Sequence, residues 1–455
     1  MYPHAPTRAC VRGFLLASAA SLVTASLGRA EVASQAPLPP VTVDAPSPRL
    51  QPTAPRVRRS ETHSVRARRV PPAAGPRAPA DNPGPSRAAL GVLSVQQALL
   101  DIQQTPGGVA LVPAQAYKTT TVANTIKDIL DYVPGVFAQP KWGDDTRLSI
   151  RGSGLSRNFH LRGVQLYMDG IPINTADGYG DFQEIDPTAY KYVEVYKGGN
   201  ALRFGANSLG GAINFVTPGG RDPFVNGVSL DAGAFGFRRL QANSGGANGR
   251  WDGFVTASTQ AADGFRDHSS GSATRISGNV GYQITPDIET RFYLNANEVR
   301  QRIPGTVTKE SALTSPQTAS AGNFALDQQR NIDTVRLANK TTIRTDDGIL
   351  EIGAFGVDRH LMHPIFQWLD YRYKDYGGFA RYTDDREIGG YRNRFVVGVN
   401  VLNGSIDNRQ FVNLAGQKGA LLSSSIDGSR NTSVYAENSF FVLPSVALIG
   451  GGQFL

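Results

Sequence analysis

The 455-residue chain is 40% hydrophobic and 18% charged, with 46 Lys+Arg against 38 Asp+Glu and a formal net charge of +8. That length suits several domains. A mean hydropathy of −0.25, with no run of ~18 apolar residues past the N-terminus, argues against a helical membrane protein and leaves a strand-built one open. Cys10, the one cysteine, precedes the N-terminal apolar run, so the processed chain is expected to carry no thiol, disulfide or cysteine metal site.

Residues 1–30 read as a secretory signal. Arg8 and Arg12 precede a small and apolar stretch over 13–27, and Gly28 and Ala30 suit a cut after Ala30. Residues 31–92 form a Pro/Arg-rich linker, with Arg58-Arg59, Arg68-Arg69 and Pro71-Pro72, too poor in large apolar residues to offset the entropy of ordering. Much of the positive charge sits there. Nucleic-acid binding is the other reading of such a basic segment, but export argues against it. Within the linker, Leu38 to Ala45 holds the β-prone Val41-Thr42-Val43 behind Pro39-Pro40. An exposed strand of this kind can pair with the edge of another protein's sheet.

The pattern turns globular over 93–220. Val122, Ile126, Ile129, Leu130 and Val133 recur at helical spacing, which predicts a helix over 122–133 stopped by Pro134-Gly135. Strands are predicted over 147–151, 164–169, 192–197 and 212–217, each closed by glycine or by Pro-Gly. A small α+β domain is the generic conclusion.

Five segments of this region make a sharper statement. They are Asp128-Ile129-Leu130-Asp131-Tyr132-Val133-Pro134-Gly135, Leu148-Ser149-Ile150-Arg151-Gly152, Tyr167-Met168-Asp169-Gly170-Ile171-Pro172, Val193-Glu194-Val195-Tyr196-Lys197-Gly198-Gly199, and Arg203-Phe204-Gly205 running on through Leu209-Gly210-Gly211-Ala212-Ile213-Asn214. In this order over about 100 residues they resemble the plug of TonB-dependent outer-membrane receptors. The last segment is similar to ferric dicitrate receptors. The resemblance marks Arg151, Gly152, Asp169, Gly170, Glu194, Gly198, Gly199, Gly205, Gly210, Gly211 and Asn214 as structural plug residues. The glycines are expected to serve tight turns and close approach to a surrounding wall, and Arg151 and Glu194 a plug–wall charge network.

Residues 221–455 change to long alternating segments. Ile276, Val280, Tyr282 and Ile284 share one face, and Ser277, Asn279, Gln283 and Thr285 the other. Thr290, Phe292, Leu294 and Ala296, and later Phe395, Val397, Val399 and Val401, repeat the pattern. Apolar-out, polar-in alternation suits a membrane barrel. About 11 strands are predicted, joined by short turns at one end (248–250, 285–287, 346–348, 384–390, 443–445) and mostly long loops at the other (265–273, 300–330, 359–373, 404–430). The fold class is therefore mainly β: a small α+β plug inside a transmembrane antiparallel β-barrel. The family closes its barrel with about 22 strands, so a partial reading frame or a non-transporting truncated receptor is the expectation here.

The resemblance implies energised import across the Gram-negative outer membrane, and it gives Leu38, Val41, Thr42, Val43, Asp44 and Ala45 the place of a TonB box. TonB with its inner-membrane energising complex, the outer-membrane bilayer, and a periplasmic binding protein with an inner-membrane transporter downstream are the implied partners. A ferric chelate, ferric citrate or a siderophore, is the expected cargo; cobalamin, copper, nickel and carbohydrate are the alternatives. Candidate ligand residues are Arg157, Asn158 and His160 on one plug loop, Tyr179, Asp181 and Gln183 on the next, and Arg300, Arg302, His360, His363, Trp368 and Arg372 in the long loops. Cationic and hydrogen-bonding groups there would suit an anionic chelate. Two histidines without further ligands are weak grounds for a metal site, and none is assigned. Neither a catalytic residue nor a cofactor is expected: metalloprotease, nucleophile-elbow and phosphate-loop motifs are absent. An outer-membrane barrel enzyme is the competing class.

Overall fold

The computed structural model describes residues 90–455 apart from 121, 154–160, 162, 206, 207 and 224. The expected signal peptide, nearly all of the linker and the box at 38–45 lie outside the described residues, as do Arg157, Asn158 and His160.

The inner domain opens with α1 (Val95–Gln104), whose first turn is closed by a reciprocal capping box between Ser94 and Gln97. There follow β1 (Val109–Pro113), α2 (Ala114–Lys118), α3 (Ile126–Leu130), β2 (Val136–Pro140), β3 (Thr146–Ile150), β4 (Val164–Met168), β5 (Ile171–Pro172), β6 (Tyr192–Lys197) and β7 (Gly211–Val216), with a 3-10 helix (Gly198–Phe204) before the last strand. The helix predicted over 122–133 is shorter. Thr125 caps it together with Asp128, and Val122 falls outside it, 48% exposed, while Ile126, Ile129 and Leu130 are fully buried. The cap decides the start: once Thr125 accepts from the first turn, the chain before it is extended.

Four strands stand within a residue of their predicted places, while β1, β2 and β5 have no counterpart in the sequence pattern. The main sheet runs β1-β6-β7-β4-β5, parallel only between β4 and β7, and β2–β3 is a separate hairpin. Every residue of β4 and β7 is buried. One face packs Val164, Leu166, Val193, Ile213 and Phe215 against α3; the other packs Tyr167, Tyr196 and Ala212 against Phe204.

Eleven strands form the second sheet in strict chain order, all antiparallel. They are β8 (Gly227–Ala232), β9 (Arg238–Asn248), β10 (Trp251–Ala262), β11 (Gly271–Thr285), β12 (Ile288–Gln301), β13 (Asn331–Arg344), β14 (Gly348–Pro364), β15 (Gln367–Ile388), β16 (Tyr391–Leu414), β17 (Gln417–Leu443) and β18 (Val446–Phe454); α4 (Lys309–Thr314) and α5 (Ala321–Ala325) lie between β12 and β13. Side chains of β9, β10, β11, β13, β14, β15, β16 and β17 all reach the inner domain by hydrogen bonds or ion pairs. The sheet is therefore concave and wraps that domain. Arg275, Ser277 and Asn279 point inward and are buried, while Ile276 and Val280 point outward and are exposed, as the alternation predicts.

The loop asymmetry holds in part. Connections 263–270 and 302–330 are long, and 302–330 carries α4 and α5. The loops predicted over 359–373 and 404–430 are corrected to strand. β14 and β15 turn at Ile365-Phe366, and β16 and β17 turn at Ala415-Gly416, where φ is 50° and 83°. Both positive φ values suit a two-residue hairpin turn. The ladder simply continues, in strands of 22, 24 and 27 residues for β15, β16 and β17.

Candidate functional site

Four of the plug motif residues, Asp169, Gly170, Glu194 and Asn214, form a hydrogen-bonded group in the inner domain. Asp169 adopts φ 54° at the β4–β5 turn, and its carboxylate accepts from Thr217 N at 2.8 Å and Thr217 Oγ1 at 2.9 Å. Gly170 N donates to Asn214 Oδ1 at 2.9 Å, and Asn214 Nδ2 donates to Glu194 Oε2 at 2.9 Å. Asn279 on the wall joins by donating to Thr217 Oγ1 at 3.0 Å and Pro218 O at 2.9 Å. Burial pushes the carboxyls of Asp169 and Glu194 up, against the hydrogen bonds from Thr217 and the cationic field of Arg203 respectively.

Gly211 needs its hydrogen: a Cβ there would stand 2.3 Å from Tyr196 O at φ 144°. Gly205 meets the wall, where a Cβ would stand 3.1 Å from Ser433 Oγ. The expectation fails at Gly199, which has open space around it and ordinary φ. It also fails for Arg151, which is exposed with its guanidinium over Gly108 of the inner domain itself and not at the wall.

Residues 174–189 carry three carboxylates into the concave wall. Arg330, the last residue of the 302–330 connection, donates to Asp181 Oδ1 at 2.7 Å and Oδ2 at 3.0 Å, and also to the Tyr179 hydroxyl. Glu184 pairs with Arg359 of β14 and with Arg336 of β13, the latter at 3.1 Å. Asp186 accepts from Ser258 of β10 and from Thr188 N at 2.9 Å. Arg275 of β11 donates twice to Gln183 O, at 3.0 and 2.7 Å, and pairs with Asp144. Apart from Asp144, these groups are almost wholly buried. Burial alone would raise the Asp181 and Asp186 carboxyls. Arg330 and Arg359 outweigh it at Asp181, and Arg275 with the Ser258 and Thr188 donors at Asp186, so both are held below the usual carboxylate range.

Tyr179, Asp181 and Gln183 are thus brought together, but against the wall and not at an outward apex. They are 7%, 4% and 0% exposed. The other candidates separate by strand parity, since successive side chains point to opposite faces. Tyr373, Arg359 and Gln301 face inward and are buried, so Arg300, His360 and Arg372 face outward, and Trp368 shares that outer face. Arg300 binds Asp333 at 2.6 Å there, His360 binds Asp370 at 2.6 Å, and Trp368 Nε1 donates to Gly416 O at 3.2 Å. Arg302 pairs with Asp327 at 3.1 Å. His363 faces inward with Nδ1 at the Gln329 carbonyl. His360 and His363 therefore sit on opposite faces and cannot share one metal ion. Among the described residues no group of three or more His, Cys, Asp or Glu is arranged for a metal.

Glu184, Asp186, Arg275, Arg330, Arg336 and Arg359 were not singled out in the sequence. Three of the arginines occupy polar-in positions of alternating strands, and an inward arginine demands an acidic partner; that was the available signal. Below the ridge, a cavity of ≈ 1020 Å³ separates the inner domain from the wall, lined by Asp169, Glu194, Arg291, Lys340, Glu351 and Arg381 among others.

Residues 101–212 match the family model described as TonB-dependent Receptor Plug Domain. The chain is 23% identical over 345 residues to the ferric-pyoverdine M114 receptor of Pseudomonas sp. (strain M114), covering 68% of this chain and 40% of that one. It is 29% identical over 147 residues to the vitamin B12 transporter of Photobacterium profundum, covering 31% of this chain and 23% of that one. The solved structure of the unliganded ferric citrate transporter FecA superposes with a TM-score of 0.64 at 19% identity, over 78% of this chain and 57% of the other. The chain thus spans less than two thirds of the length of each of these proteins.

Proposed function

We propose that this chain, which belongs to the TonB-dependent receptor family, serves the energised import of a ferric chelate across the outer membrane into the periplasm. The observation that carries this reading is the buried ion-paired ridge. Asp181, Glu184 and Asp186 tie the plug to wall groups through charges and hydrogen bonds, beside one apolar contact of Ile171 with Tyr293, Ala338 and Phe355. Such contacts hold the lumen shut at rest, and each group can exchange its partner for water as the plug moves.

The pull enters at Leu38 to Ala45. This segment adds as a strand to the edge of a TonB sheet, and the Pro/Arg-rich stretch behind it transmits force as a semi-rigid tether. A periplasmic binding protein and an inner-membrane transporter take the cargo onward. The exposed outward row of Ile276, Val280, Phe292, Leu294, Val335 and Leu337 supports a lipid-facing belt. Trp251 packed against Tyr282, with ring centroids 4.4 Å apart near the short-turn end, supports an interfacial anchor. No helix among the described residues is long and apolar enough to cross a membrane.

A ferric cargo is favoured over cobalamin by extent. The similarity to the ferric-pyoverdine receptor runs over 68% of this chain, into the wall, while that to the vitamin B12 transporter covers 31%. The test is Val43→Pro in iron-starved cells fed radio-iron as a hydroxamate chelate. Surface binding is expected to persist while accumulation in the periplasm is lost. Accumulation equal to the unaltered protein would refute the coupling.

A further inference from the structure

The inner wall above the plug has a chemical character of its own. Among the described plug residues, Ala176 meets this side of the wall. Its N donates to Asp375 Oδ1 at 2.9 Å, its carbonyl accepts from Asn431, and a Cβ on Gly404 would stand 2.7 Å from the Ala176 side chain. Strand register then identifies what lies farther out on the same inward face. Tyr371 is opposite Asn408, Asn408 opposite Ser425, Gln410 opposite Ser423, and Ile406 opposite Asp427. All are partly or fully exposed.

The surface sets phenol, amide and hydroxyl groups around the apolar Ile406 and Leu369, with one carboxylate, Asp427, whose near partner is Ser425 Oγ at 3.2 Å. The cations nearest its base are already engaged, Arg330 by Asp181 and Arg359 by Glu184. The cations on the outer parts of the same strands, Arg372, Lys374, Arg409 and Arg430, alternate with inward residues and face out, Arg409 held by Asp407 at 2.8 Å, and Lys418 is paired with Asp370 on the outer side. Among the described residues, this wall offers an anionic ligand no arginine or lysine.

We propose that the inward face of β15–β17 above the plug receives a ferric chelate of zero or positive net charge that presents amide and hydroxyl groups, and that it discriminates against anionic chelates such as ferric citrate. This rests on the ferric-import reading above. An anionic chelate would shed water against a neutral, oxygen-rich surface and meet Asp427, gaining no compensating charge. A hydroxamate complex finds donors and acceptors in Tyr371, Asn408, Gln410 and the serines, and a pendant ammonium finds Asp427.

The experiment measures radio-iron binding to the full chain in outer membranes of iron-starved cells lacking other receptors. Three probes are used: a linear ferric trihydroxamate with a terminal ammonium, the same chelate with that amine acetylated, and ferric citrate. The ammonium form is expected to bind about tenfold tighter than the acetylated form at low salt, with the gap closing as salt rises. Ferric citrate is expected to bind about a hundredfold more weakly than either. Asp427→Asn, an exposed substitution, should erase the preference for the ammonium form, while Tyr371→Ala weakens both forms. Ferric citrate binding as tightly as the hydroxamates, or a charge preference that survives Asp427→Asn, overturns the assignment and leaves ferric import standing. Failure of all three probes to bind overturns both.

Discussion

Arg330 lies 149 residues from Asp181 in the chain, yet its guanidinium makes two hydrogen bonds to that carboxylate within 3.0 Å. Both side chains are under 10% exposed, so removing one leaves a charge without its counter-ion in a poorly hydrated place. Arg330→Met is expected to lower plug stability by about 3 kcal/mol. Asp181→Asn should cost a similar amount, and the double variant distinctly less than the sum of the two. Urea titration of the purified protein, followed by protease cleavage within residues 93–220, measures this; strict additivity would dissolve the proposed coupling. At this scale the sequence was legible where a motif is local. Asp169-Gly170 is a turn with positive φ at both residues, and that chemistry is written in two adjacent letters. Arg330 was illegible because its role depends on a partner brought to it by the wall's curvature. Arg300, His360, Trp368 and Arg372 were misplaced for a related reason: a loop reading leaves a side chain's direction open, whereas a strand assigns it.

At the scale of elements, the outer end is tied together by Asn413. Its Nδ2 donates to Leu326 O at 2.9 Å and Ile365 O at 2.7 Å, and its Oδ1 accepts from Gly416 N at 2.8 Å. One buried amide thus joins the 302–330 connection to both outer hairpin tips. Asn413→Ala removes all three bonds and is expected to cost about 1–3 kcal/mol locally. Hydrogen exchange at residues 326–330 should then quicken by about tenfold to a hundredfold, while exchange in β11 and β12 stays as it was. Unaltered exchange at 326–330 would show that the loops are held by other contacts. The hairpins that end at this clamp were invisible to periodicity. Where both faces of a strand meet water or a polar lumen, the apolar alternation fades, although the ladder hydrogen bonds remain. The reverse error occurred in α3, where apolar spacing reached back to Val122 but the Thr125 cap did not.

For the whole molecule, two sets of buried carboxyls act in opposite directions on acidification. Asp181 and Asp186 are held below the ordinary aspartate value of ~3.9, so their stabilisation is complete above about pH 4 and is lost as pH falls through their lowered values. Asp145, Asp169 and Glu194 are raised by burial, so they cost stability when ionised, and the cost is relieved as pH falls toward the ordinary range. Plug stability is therefore expected to hold or rise slightly from pH 7 to about pH 5 and to drop below about pH 4. Urea midpoints for cleavage of the plug across that range check this; a steady fall from pH 7 would mean that the raised carboxyls do not govern it.

By itself the sequence determined the division into a small α+β plug and a long meander of alternating strands, along with the strand count and the short turns. These depend on local spacing: apolar residues every second position, Gly and Pro at turns, five ordered plug segments. The tertiary structure alone decided which face each loop residue presents, which wall arginine neutralises which plug carboxylate, and how far the outer hairpins rise. Those outcomes depend on register and on curvature, and both arise only when strands far apart in the chain are paired and wrapped around the plug.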